Sequence, residues 1–202
     1  MNPDHEWLTR ATLLQRVRDR HDQESWSEFI KYYQRYVHSI IRRMGLNHHD
    51  AEEVGQAVMV KLWDKLPEFE YDPTKGRFRG WLCRVTGNEV KMFHRQKMRA
   101  AKALAGKRKA DLETYLSRVH VSDIDALAEE EWAAYITSLA WNNIQGRFDG
   151  KTKETFERVS KGESAEEVGS SLGLAPSSVY VYKKRVEDCL CAEIMRLNRE
   201  LD

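Results

Sequence analysis

The stretch AEEVGSSLGLAPSSVYVYKKRVEDCL, residues 165–190, places Lys183, Lys184 and Arg185 on one side of a glycine break and Glu166 and Glu167 on the other. No bond-making chemistry follows from these residue types. What they offer is capture of a polyanion, with cations for phosphates and small polar or apolar side chains for base edges. Two helices broken at Gly173 fit a helix-turn-helix. Gly169 stands where a second helix crosses the first, Gly173 tolerates a positive φ, and Leu172 and Val179 are placed for a shared core. Pro176 suits a first helical turn, where its missing N–H costs nothing. Ala175 is a poor N-cap, so Ser177 or Ser178 is expected to take that role. The exposed face then offers Ser177, Ser178, Tyr180 and Val181 to base edges and Lys183, Lys184 and Arg185 to phosphates. An ordinary solvated helical hairpin carries the same pattern, so this stretch alone does not define a function.

A second cationic block stands upstream. Residues 91–109, KMFHRQKMRAAKALAGKRK, hold eight Lys or Arg and no acid, and residues 111–131 hold seven acids and one Arg. The net charge of the 202-residue chain is only +1, so the charge is segregated rather than absent, which suits two kinds of partner.

These blocks must be held by helices. Trp26, Phe29, Ile30, Tyr33, Val37, Ile40 and Ile41 recur at helical spacing, with Ser25 and Glu28 as a capping box and Gly45 as the stop. A second helix is expected to open at Asp50, carry Val54, Val58, Leu62 and Leu66, and end at Pro67. PEFEYDPTKGR reads as a loop, and a third helix follows from Phe78 with Trp81, Leu82, Val85 and Met92 on its apolar face. Residues 101–127 lose this periodicity and read as a linker with room for a helical part. Helicity resumes near Glu129 with Trp132, Tyr135, Ile136, Leu139 and Ala140, and a short helix covers residues 152–160. The N-terminal 24 residues read as one short helix. The expected fold is all-α, two small helical domains joined by a charged linker, with divisions at 1–98, 99–127 and 128–202.

With 41% hydrophobic and 32% charged residues, four prolines and eleven glycines, a β-sandwich is disfavoured. No apolar run suits a signal peptide or a membrane span, and three unpatterned cysteines fit reduced thiols, so a cytoplasmic protein is expected. The NHHD run at 47–50 has no second ligand cluster, and Cys189 and Cys191 point to different faces of one helix. No metal, cofactor or enzymatic activity is expected, since no nucleophile–base pair, phosphate-binding glycine loop or paired catalytic carboxylates are visible.

DAEEVGQAVMVKLWDKLPEFEYDPTKGRFRGWLCRVTGNEVKMFHR, residues 50–95, resembles region 2 of the extracytoplasmic-function sigma factors of the sigma-70 family. Asp50-Ala51-Glu52-Glu53, Gln56, Lys61 and Trp63 follow the family's D-A-E-D…Q-E…W pattern, and Phe78-Arg79-Gly80-Trp81-Leu82…Arg84-Val85…Asn88 its F-R-x-W-L…R…N pattern. The helix-turn-helix then resembles region 4, and YDPTKGRFRGWL is most similar to the planctomycete variants. The resemblance implies a three- to four-helix bundle for region 2 and a helix-turn-helix for region 4. It implies a core-polymerase face of Asp50, Glu52, Glu53, Gln56, Lys61 and Trp63 on the β′ clamp helices, with the β flap as a further contact. It implies a −10 face of Arg77, Arg79, Trp81, Arg84, Asn88, Lys91, His94 and Arg95 on single-stranded promoter DNA, and a −35 reader at residues 177–185. Trp81 also fits a core position beside Phe78 and Val85, and the acids at 50–53 also fit simple helix capping. The acidic linker is expected to thread the polymerase's RNA-exit path. Ala57 stands where the family has an acid, and Gly55 lies inside the same helix, two departures that bear on core binding. An anti-sigma factor or a serine/threonine kinase acting on Thr74 is the regulatory partner the resemblance adds. The alternative is an autonomous helix-turn-helix regulator with an N-terminal sensing or dimerisation domain.

Overall fold

The computed structural model describes residues 13–70, 77–104, 107–117 and 124–201, and among these all regular structure is helical. The chain forms two compact units, one reaching to Ala133 and the other covering Ala134–Leu201. Thr74, the loop at 71–76 and most of the expected N-terminal helix lie outside the described residues, although residues 13–16 are helical.

Helix α1, Gln23–Arg43, starts at Asp22, whose side chain accepts from the Ser25 amide at 2.9 Å. The expected cap, Ser25, is therefore the third helical residue. Arg16 braces the true cap at 2.9 Å and holds the Asp22 carboxyl below its ordinary range. Helix α2, His48–Lys65, shows the same displacement: Asn47 is the cap and Asp50 donates its amide to it at 2.9 Å. Gly45, at φ +95°, turns the chain between α1 and α2. Pro67 sits in a 3-10 turn, Leu66–Glu68, that closes α2. Helix α3, Phe78–Ala103, runs beyond residue 98 and carries the basic block.

These three helices pack through an aromatic core. Phe29, Tyr33, Tyr36, Ile40, Ile41, Leu62, Phe78 and Leu82 are all buried, each worth about 1.5–3 kcal/mol of apolar burial. Phe78 is edge-on to Tyr33 at 5.3 Å and Phe29 at 6.0 Å. The apolar face of α3 is rotated from the expected one. Cys83, Thr86, Val90 and Phe93 are buried, whereas Met92 is 44% exposed. Residues read as linker contain α4, Lys107–Leu116, held by buried Leu116 and by Tyr115, whose hydroxyl accepts from the Asn47 amide at 2.9 Å. Helix α5, Ile124–Ile144, starts five residues before Glu129.

In the second unit, α6, Gly150–Ser160, is capped by Asp149, which accepts from the Thr152 amide at 2.8 Å. Helix α7, Ala165–Leu172, opens on a capping box of Ser164 and Glu167 and ends at Gly173, φ +66°. Helix α8, Pro176–Leu201, begins at the proline itself. Neither Ser177 nor Ser178 takes over as cap, and the Ser178 amide donates to Ala175 O at 2.9 Å. A Cβ on Gly169 would lie 2.7 Å from Leu174 O and 3.6 Å from a Val179 methyl, so the turn requires glycine there. Val168 and Val179 bury beneath it, with Leu172 and Leu174 packed alongside.

Candidate nucleic-acid interface

Five expected DNA contacts fall on one stripe of α3. Arg77, Arg84, Asn88, Lys91 and Arg95 are separated by seven, four, three and four residues, the spacing of one helical face. Arg77, Arg84, Asn88 and Arg95 are exposed and Lys91 is half-buried. Arg99 and Lys102 continue the stripe at the same spacing and are exposed. Both belong to the basic block, and helical spacing brings them onto this face. Met92, flanking the stripe, adds an exposed apolar surface of the kind unstacked bases use.

The other three expected −10 residues are engaged inside the first unit. Arg79 is 3% exposed, with two nitrogens on the Glu129 carboxylate at 3.2 and 2.7 Å and its guanidinium 5.4 Å from the Trp132 ring. Trp81 packs on Phe69 at 4.4 Å and Phe78 at 5.4 Å, so the core role weighed for it is occupied. His94 Nε2 lies 3.3 Å from Leu116 O.

The residues expected to form a core-polymerase face divide the same way. Glu52, Glu53 and Gln56 are exposed together on α2, with Ala57 and Val60 beside them. An open groove of about 1060 Å³ runs between α1 and α2, lined among others by Ile30, His38, Glu52, Gln56, Met59 and Val60. Asp50 is instead buried, hydrogen-bonded to Asn47 Nδ2 at 3.2 Å and reached by Lys97 at 3.5 Å. Burial against this corner pushes the Tyr115 hydroxyl up, and its hydrogen bond to Asp50 acts in the same direction. Lys61 pairs with buried Glu89, and Trp63 lies edge-on to Trp26 at 5.0 Å. Asp50, Lys61 and Trp63 thus support α2 from within.

Gly55 lines this groove, and a Cβ there would meet only Ile41 Cδ1, at 3.9 Å. Packing does not require the glycine. Gly55→Ala is expected to stabilise the protein by about 0.5–1 kcal/mol through lower backbone entropy in the unfolded chain. A thermal melt that falls rather than rises would contradict this.

On α8, Ser177, Tyr180, Val181, Lys184 and Arg185 are exposed at the spacing of one face, with Tyr180 60% and Val181 63% exposed. Ser178 and Lys183 flank it, half-buried. Lys183 reaches Glu187 at 3.4 Å and Lys184 reaches Asp188 at 2.8 Å, which raises the Lys184 ammonium above its usual value. The expected reading face is therefore assembled, with two of its cations already held against acids one turn on. Among the described residues no group of His, Cys, Asp and Glu is placed to hold a metal, and no helix is long and apolar enough to cross a membrane.

Residues 29–100, which include α2 and most of α1 and α3, match the model of sigma-70 region 2. The likeness to sigma-70 region 2 therefore covers the three-helix part of the first unit and not the rest of the chain. A curated protein to which the chain is similar is the extracytoplasmic-function RNA polymerase sigma factor SigE of Mycolicibacterium smegmatis. The two are 25% identical over 91 residues, covering 42% of this chain. The match spans about a third of that relative's length, 34%. Among solved structures, CnrH in complex with the cytosolic domain of CnrY aligns over 91% of this chain and 95% of its own, at 18% identity and a TM-score of 0.37.

Proposed function

We propose that this protein is an RNA polymerase specificity subunit. In this reading Glu52, Glu53 and Gln56 on α2 dock on core polymerase, the α3 stripe holds the melted −10 strand, and α8 reads the −35 element. The observation that carries it is the continuous polar stripe Arg77–Arg84–Asn88–Lys91–Arg95 on a helix inside the region 2 match. Single-strand capture needs aligned cations along the backbone beside a surface that bases can stack on, and this face has both. The glycine-dependent turn between α7 and α8 supports the duplex-reading role, because it fixes the orientation of the second helix.

Reconstitution tests the reading. Purified protein mixed with core polymerase is expected to give promoter-dependent run-off transcripts from a genomic fragment library, and neither component gives them alone. Arg84→Ala combined with Arg95→Ala is expected to lower the yield about tenfold or more while leaving α2-mediated association with the core intact. Tight, specific binding of the protein alone to a palindromic duplex, with no polymerase-dependent transcript, would instead support an autonomous helix-turn-helix regulator.

A further inference from the structure

The acids of α5 do more than segregate charge along the chain. Glu129 holds Arg79 through two hydrogen bonds, while Arg43 of α1 reaches Glu130 at 2.8 Å and Glu131 at 2.9 Å. Tyr36 donates its hydroxyl to Ala128 O at 3.2 Å, and Trp132, 3% exposed, stands edge-on to Tyr36 at 5.2 Å. Ala126, Ala128 and Glu129 also close a pocket of about 420 Å³ with Arg77, Gly80 and Arg84, the N-terminal third of the α3 stripe. A carboxylate on a guanidinium fork has the geometry that a phosphate would adopt there.

We propose that the first turns of α5, Ala126–Trp132, are an internal latch that masks the N-terminal end of the α3 strand-binding face in the free protein. The proposal rests on the strand-binding reading of α3. Trp132 and Tyr36 seat the latch, and Glu129 sets a negative charge beside Arg77 and Arg84, where the backbone of a single strand has to run. The ion pairs that hold it are half-exposed on at least one side: Glu129 is 62% and Arg43 56% exposed. The Arg43–Glu130 pair is exposed on both sides and contributes little, so removing it loosens the latch by a modest factor while the Arg79–Glu129 pair and the Trp132 seat remain. A site available only in the open fraction binds with an affinity reduced by that fraction.

Arg43 makes the decisive test, because it lies on α1, outside the strand-binding stripe. Arg43→Ala removes a cation, and simple electrostatics then lowers affinity for an anionic strand. The latch gives the opposite sign. Binding of fluorescein-labelled oligo(dT) to the full chain, followed by anisotropy, is expected to tighten about threefold in Arg43→Ala, the scale of one exposed ion pair. Adding Arg84→Ala cancels the gain. Arg43 is largely exposed, and an unchanged thermal melt verifies folding. Amide exchange over residues 126–132 is expected to rise in this variant. Unchanged or weaker binding in Arg43→Ala, with Arg84→Ala still weakening the wild type, overturns the latch and leaves the strand face standing. Binding indifferent to Arg84→Ala and to Arg95→Ala removes the strand face itself, and the latch with it.

Discussion

Gly169→Ala lowers the stability of the second unit by about 1–3 kcal/mol, and Gly169→Val lowers it further. The reason is contact with backbone. The added Cβ lies 2.7 Å from Leu174 O, and that carbonyl belongs to the turn whose own amide donates to Gly169 O at 2.8 Å. Relief requires α7 and the turn to separate, which opens the small cluster of Ala165, Val168 and Val179. Overpacking of this kind costs on the order of 1–3 kcal/mol. Gly173→Ala is a useful comparison. Nothing lies within 4 Å of its added Cβ, so its cost, about 1 kcal/mol, comes only from the left-handed φ of +66°. Amide exchange in α7 reads both substitutions. A Gly169→Ala protein as stable as the wild type would mean that the turn is looser than its geometry implies, and the α8 reading face would lose its fixed orientation.

Phe78→Ala is expected to cost the first unit about 3–5 kcal/mol, a large share of the stability of a small domain. Phe78 is 1% exposed and touches four aromatic rings: Phe29, Tyr33, Phe69 and Trp81. It is also the first residue of α3, so the cavity opens where that helix is anchored. Trp81, left with Phe69 as its ring partner, should show a red-shifted emission before global unfolding. Phe78→Leu keeps most of the volume and is expected to cost under about 1.5 kcal/mol. Equal urea midpoints for the two variants would show that aromatic volume is not what holds α3 in place.

Much of this architecture is legible from local chemistry. Helical periodicity finds α1, α2 and α3, and glycine and proline chemistry places the turn at Gly173 and the start of α8 at Pro176. The caps of α1 and α2 are misread by the same three residues. Ser25 and Asp50 look like caps, yet each is the third helical residue, donating its amide to a true cap three positions earlier. Both members of such a pair are short polar residues, so composition alone does not order them. The larger misreadings come from distant partners. Arg79 belongs by pattern with the exposed cations, but Glu129, fifty residues on, neutralises it and buries it with Trp132. Asp50 is drawn inward by Lys97 and Tyr115 from helices that the α2 sequence does not announce. Helix α4 was hidden because two of its residues, Tyr115 and Leu116, supply contacts that periodicity over ten positions does not reveal. The stripe on α3 was legible because it depends on nothing but helical spacing.

Helix α8 is one unbroken element of 26 residues that exposes Ser177, Tyr180, Val181, Lys184 and Arg185 and buries Val179, Val186, Glu193, Leu197 and Leu201. Both sets ride on one helical phase. A single inserted or deleted residue between Arg185 and Val186 rotates everything beyond it by about 100° relative to the reading face. Either the core line or the face must then point the wrong way. Descendants of this sequence can therefore alter the surface that α8 presents by exchanging side chains, whereas changes of length within it are closed to them. The register of the helix is inherited as a unit, and only the lettering on its outer face is free to drift.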